Sequence, residues 1–119
     1  MKKFITYFLI LFGSFCYSQD TISTSPVKNF IGKEVILKGT VASFKMAGEG
    51  KSTNYINVDK AYPSNVFTIV IPNYALDKLG FKIEDSKGKQ IIVRGKVEIY
   101  EKDPNKIPQI FNPKEIYIR

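Results

Sequence analysis

Two stretches of the chain repeat one pattern: "GKEVILKGTVASF" from Gly32 and "GKQIIVRGKVEIY" from Gly88. Each opens on Gly-Lys, runs through alternating aliphatic residues, and meets a basic residue followed by glycine, at Lys38–Gly39 and at Arg94–Gly95. Alternation with a period of two is the mark of a half-buried strand. Val35, Leu37 and Val41 share one parity in the first stretch, and Ile91, Val93, Val97 and Ile99 in the second. A glycine inside such a strand marks a bend, a bulge or a barrel corner. Two copies with unlike connections do not make a solenoid. Two long strands, each bent at a central glycine, are what a small and highly curved barrel requires.

The segments between and after them fit that frame. "MAGEGKS" is a loop, and "TNYINV" and "NVFTIVIP" are two shorter strands joined by a proline-marked connection. Ile56 and Val58 fall on one side of the first, with Tyr55, Asn57 and Asp59 on the other. Phe67, Ile69 and Ile71 share a face of the second, which makes Phe67 a core residue, while Thr68 faces the other way. Tyr62-Pro63 is expected to plug one end of the barrel. "NYALDKLGF" predicts a short helix with Asn73 as N-cap, Ala75, Leu76 and Leu79 packing inward, and Gly80 as the stop. "KDPNKIP" is a loop, and "QIF" and "EIYI" are strand pieces around Pro113. The order of three strands, a short helix and two strands is that of the all-β, five-stranded Greek-key oligonucleotide/oligosaccharide-binding (OB) barrel.

Residues 1–19, "MKKFITYFLILFGSFCYSQ", place two lysines before an apolar run from Phe4 to Phe12 and then small and polar residues. That is the layout of a secretory signal peptide, and the run is short of the roughly 20 apolar residues that span a bilayer. Cleavage is expected after Gln19. A retained anchor is one alternative, and lipidation of Cys16 another, although Phe15 rather than a small residue precedes that cysteine. Residues 20–29 are expected to be an N-terminal linker, and residues 30–119 the OB domain. A chain of this length suits one domain, which buries roughly 60–70% of its unfolded surface. Cys16 is the only cysteine, so the exported domain carries no disulfide and stands on packing alone.

The inventory excludes several chemistries. With no histidine, and no cysteine after cleavage, serine–histidine and cysteine–histidine catalysis and Cys/His zinc sites have no residues to use. The 11 acidic residues are scattered among lysines, with Glu84–Asp85 an adjacent pair, and there is no calcium loop, phosphate loop or dinucleotide fingerprint. "GEGK" at Gly48–Lys51 is too short for a phosphate loop. No cofactor, no metal and no enzymatic activity are expected, and the domain is expected to be a monomer. Of 18 basic residues, Lys2 and Lys3 leave with the leader, and the remaining 16 against 11 acids give a net charge of +5. This excess favours polyanions, although a small domain of such charge is also simply soluble.

On "IGKEVILKGTV", "YINVDKAYPSNVFTIVI" and "GKQIIVRGKVEIY…PQI", the sequence resembles the small bacterial OB-fold domains of nucleic-acid-binding type, which occur alone or beside nuclease domains. The most specific part is the spacing Asn57…Tyr62-Pro63…Phe67-Thr68. The loop "EKDPNKI" is longer than the short turn usual before Pro-Gln-Ile. The resemblance implies a binding module, with single-stranded nucleic acid as partner. An extracytoplasmic protein, peptide or anionic glycan is the alternative that export leaves open.

OB domains bind over their second and third strands, flanked by the loops after the first and fourth. Here that face offers Tyr55, Asn57 and Thr68, with Lys45 and Lys51 from one loop and Lys102, Asn105 and Lys106 from the other. An aromatic ring stacks on any base, and ammonium groups follow the phosphates. Tyr55 is either such a ring or a cross-strand packing partner. Asn57, a residue strands avoid, either hydrogen-bonds a ligand or bridges backbone at a bulge. The four lysines become a site only if the fold brings them to one side of the barrel.

Overall fold

The computed structural model describes residues 21–62 and 64–119. The expected signal peptide, its cleavage site and the residues Cys16 and Pro63 lie outside the described residues. Eight strands are formed: β1 (Thr21–Ser23), β2 (Glu34–Lys45), β3 (Thr53–Val58), β4 (Phe67–Pro72), β5 (Gln90–Lys96), β6 (Glu98–Ile99), β7 (Pro108–Phe111) and β8 (Glu115–Ile118). Three short 3-10 turns join them: η1 (Val27–Phe30), η2 (Asn73–Lys78) and η3 (Ile83–Asp85).

The described residues form a curled, mostly β half-barrel with almost no helix, in the manner of an OB barrel. The first half of β2 pairs antiparallel with β5, from Glu34↔Lys96 to Thr40↔Gln90, and its second half pairs with β3, from Val41↔Val58 to Lys45↔Tyr55. β3 pairs antiparallel with β4, β4 pairs parallel with β7, and β7 pairs antiparallel with β6. Only Val97 separates β5 from β6. The hydrogen-bonded path therefore leaves residues 90–99, runs through β2, β3, β4 and β7, and returns to them. Five strands were expected, and the eight include β1, parallel to β2, and β8, antiparallel to β5.

The repeated glycines sit where the chain changes partner. Gly39 lies at the switch of β2 from β5 to β3, and a Cβ there would collide with Cγ1 of Val58. At Gly95 a Cβ would stand 2.5 Å from Cγ2 of Ile110. Glycine here serves close approach between strands rather than an unusual backbone angle. A register shift between Val41 and Ser43 adds a β-bulge directly after the first bend. Bulges bend a strand and raise its twist, and this one moves the alternation so that Val41 is in the core while Ser43 and Lys45 share a face with Asn57 and Tyr55.

Phe67, Ile56, Ile69 and Ile71 are fully buried, with Leu37, Val41, Val58, Ile91, Val93 and Ile110 around them. Phe67 is core, as its parity implies. The expected linker is built into the fold: Thr21–Ser23 pair with Ile36–Lys38, and Val27 is 1% exposed in the core. Its β-branched residues suit a strand, and Asp59 pins it, accepting from the Thr24 hydroxyl and from the Thr40 N–H. Asp59 does this with a positive φ of 71°. The short helix expected from Asn73 is the 3-10 turn η2, ending before Gly80 at φ 76°. Asn73 does not cap it. Its side chain instead accepts from Asn54 Nδ2 and donates to the Lys51 carbonyl.

Candidate functional site

The outer face of β2, β3, β4 and β7 carries two cross-strand rows. One reads Ser43, Asn57, Thr68 and Gln109, and the other Lys45, Tyr55, Val70 and Phe111. The first row is polar and mostly tied within itself. Asn65 Nδ2 donates to the Thr68 hydroxyl (2.6 Å), Thr68 donates to Asn57 Oδ1 (3.4 Å), and Asn57 Nδ2 donates to Ser43 Oγ (3.0 Å). Asn57 is 6% exposed, so its amide is chiefly committed to neighbouring strands. It bonds side chains in the row rather than backbone at the bulge. The chain of donors ends on Ser43, which has accepted a proton donor and keeps its own O–H for something else.

The second row is apolar beyond Lys45. Tyr55 and Phe111 flank Val70, which is 4% exposed beneath them, while the two rings are 37% and 47% exposed. A cleft of about 720 Å³ crosses this face toward the loop after β6. Of the residues singled out from the sequence, Lys45, Tyr55, Asn57, Thr68 and Lys102 line it, together with Ser43, Tyr62, Tyr100, Asp103 and Gln109. Tyr62 does not plug the barrel. It is 60% exposed and stands at the cleft with Tyr100.

Lys51, Asn105 and Lys106 are not among the cleft's lining residues. The loop after β2 is folded back by Asn54, whose Oδ1 accepts from Ala47 N–H and whose Nδ2 donates to the Ile71 carbonyl. This holds Lys51 beside Asn73, at the far end of β4. In the other loop, the Asp103 carboxylate accepts from the N–H groups of Asn105 (2.9 Å) and Ile107 (3.0 Å). Lys106 turns back onto Glu101, bonding its carbonyl and forming an ion pair at 3.4 Å. Of four expected lysines, Lys45 and Lys102 therefore reach the cleft. The local charge is moderate, since Asp103 also lines it.

Ser43, Tyr100, Gln109 and Phe111 join this face without having been picked out from the sequence, and Tyr62, expected as a plug, joins it too. Ser43 needs the bulge, and Gln109 and Phe111 need the parallel pairing of β7 with β4, neither of which periodicity reveals. Tyr100 and Tyr62 carried a readable signal, because large aromatics in loops have no packing partner of their own.

Neither a protein-family model nor a curated protein matches the chain. Solved structures do match its fold. One is an aspartyl-tRNA synthetase from Leishmania major Friedlin, with a TM-score of 0.60 and 14% identity over 85% of this chain and 21% of that one. Another is the OBody AM2EP06 bound to hen egg-white lysozyme, with a TM-score of 0.57 and 23% identity over 82% and 90%. A third is the structure of yeast Stn1 and Ten1, with a TM-score of 0.58 and 11% identity over 86% and 63%. The chain thus spans about a fifth of the synthetase and under two-thirds of the yeast chain. At these identities the likeness is one of fold, and the neighbours include OB-fold-type proteins.

Proposed function

We propose that this protein is an exported, non-catalytic OB module that binds single-stranded nucleic acid, without strong sequence preference, on the outer face of β2, β3, β4 and β7. Export rests on residues 1–19, and the five strands of the OB ring are β2, β3, β4, the β5–β6 run and β7. The observation that carries the proposal is the set of exposed rings on one face. Tyr55, Tyr62 and Tyr100 border a single cleft, Phe111 continues the row from Tyr55, and Lys45 and Lys102 stand at its rim. Stacking on such rings is worth about 1–3 kcal/mol per base and accepts any base. The polar row supports the lack of preference: Asn57 and Thr68 spend their groups on one another, leaving the Ser43 hydroxyl and the Gln109 amide. A neighbour named for tRNA is consistent with this chemistry.

One observation favours a second reading, an extracytoplasmic OB module that binds a protein, peptide or anionic glycan: the OBody neighbour is bound to a protein. A titration separates the two. The protein has no tryptophan, so its tyrosines report directly. Adding poly-dT should quench their emission saturably, while heparin should compete only at low salt. Quenching by neither, or equal and salt-independent competition by heparin, would favour the second reading.

A further inference from the structure

The sheet splits at Pro72, on the side away from the cleft. β4 and β7 pair in parallel from Thr68↔Gln109 to Val70↔Phe111, and the Asn112 N–H still donates to the Val70 carbonyl at 2.8 Å. The Asn73 N–H donates to Ser52 on the β3 side, so odd residues of β4 face β3 and even residues face β7. The next even residue is Pro72, which has no N–H to give, and the Lys114 N–H, next in line after Asn112, donates instead to the Arg94 carbonyl of β5. The ladder stops there. The chain turns away into η2 after Pro72, and β8 continues with β5 as its one neighbour among the described residues.

Which groups of β8 are left over follows from alternation. The Val97 N–H donates to Lys33 and the Val41 N–H to Lys89, so odd residues of β5 face β2 and even residues face β8. The Arg119 N–H accordingly donates to the Gln90 carbonyl. Through the register Ile92↔Tyr117 and Arg94↔Glu115, Tyr117 and Glu115 bond to β5. Ile116 and Ile118 aim their N–H and C=O groups outward, and no strand among the described residues takes them. Ile116 lies on a groove of about 490 Å³ between β8 and η2, and Ile118 continues the same open edge beyond the groove's lining residues. Ile71, Ala75, Leu79 and Ile116 supply its apolar walls, Lys78 and Lys114 its basic groups, and Glu115, which is paired with Arg94, its one acidic group. Lys114 is paired with Glu34, whereas Lys78 has no ion pair among the described residues.

We propose that this split is a second binding site, which takes an extended peptide as an added strand on β8. The peptide's main chain would pair with Ile116 and Ile118, alternate apolar side chains would enter the wall of Ile71, Ala75 and Leu79, and an acidic side chain would meet Lys78. Added strands draw affinity from main-chain bonds and specificity from alternate side-chain pockets. A second copy of the protein fits less well: its β8 is backed by its own β5, and η2 stands where that β5 would lie. A lone segment with nothing on its other edge has no such conflict.

The test is a titration of isotope-labelled protein with the capped hexapeptide Glu-Val-Glu-Val-Glu-Val, followed by amide chemical shifts. The largest shifts should fall on Ile116 and Ile118. Ile116→Pro removes an outward N–H without touching the β5 ladder and should weaken binding about three- to tenfold. Lys78→Glu, at an exposed position, should weaken it roughly threefold, and it decides alone if the amide spectrum shows Ile116→Pro to be unfolded. Tyr55→Ala should leave peptide binding unchanged. Shifts confined to the Tyr55 face, no movement of Ile116 and Ile118 at millimolar peptide, or a dimer in light scattering whose interface is β8 would each overturn the proposal.

Discussion

Tyr55 is the residue on which stacking and packing make opposite demands. Its ring covers Val70 and its hydroxyl accepts from Thr53 at 3.1 Å, yet over a third of it meets solvent. Removing the ring should cost about 1–3 kcal/mol of poly-dT binding with a melting temperature close to that of the parent. Calorimetry and titration on Tyr55→Ala check this together, and a lower melting temperature with unchanged binding would make the residue a packing partner. Asn57 behaves otherwise. Its position on the outward parity was legible in the sequence, but its partners Ser43 and Thr68 arrive from two other strands. Their register depends on a bulge that no periodicity announces. Parity tells which way a side chain faces, not what waits there.

At the scale of the element, the two glycine-bent strands were the most legible part of the chain, because a collision is local and side-chain specific. Gly95→Ala places a methyl against Ile110, and Gly39→Ala one against Val58. Each should destabilise the fold by about 1–3 kcal/mol, read as an earlier unfolding midpoint in urea. Unchanged midpoints would mean that the strands do not need this close approach. The helix after β4 was legible as a turn of chain but not as a type: with Pro72 before it and Gly80 after it, "NYALDK" has room for 3-10 turns and no side-chain cap hydrogen bond. The segment before β2 was less legible, since "TISTSP" is polar enough to pass for a linker. Its strand forms by borrowing the edge of Ile36–Lys38.

For the molecule as a whole, the basic excess is spread rather than focused, and this sets how salt should act. The sequence places four lysines in the loops beside the binding face, which at about 0.7 per phosphate would give a single-strand slope near −2.8. The fold sends Lys51 to the end of β4 and Lys106 onto Glu101, leaving Lys45 and Lys102. Two phosphate contacts imply a slope of about −1.4, or roughly a sevenfold loss of affinity between 50 and 200 mM salt. The remainder should be salt-independent and carried by the rings. The most direct measurement is therefore the poly-dT dissociation constant of the parent, of Tyr55→Ala and of Lys102→Ala across that salt range. The expected result is a parallel, weaker line for Tyr55→Ala and a flatter one for Lys102→Ala that meets the parent at high salt; a parent line as steep as about −2.8, or one unmoved by Tyr55→Ala, would rule out binding through the rings.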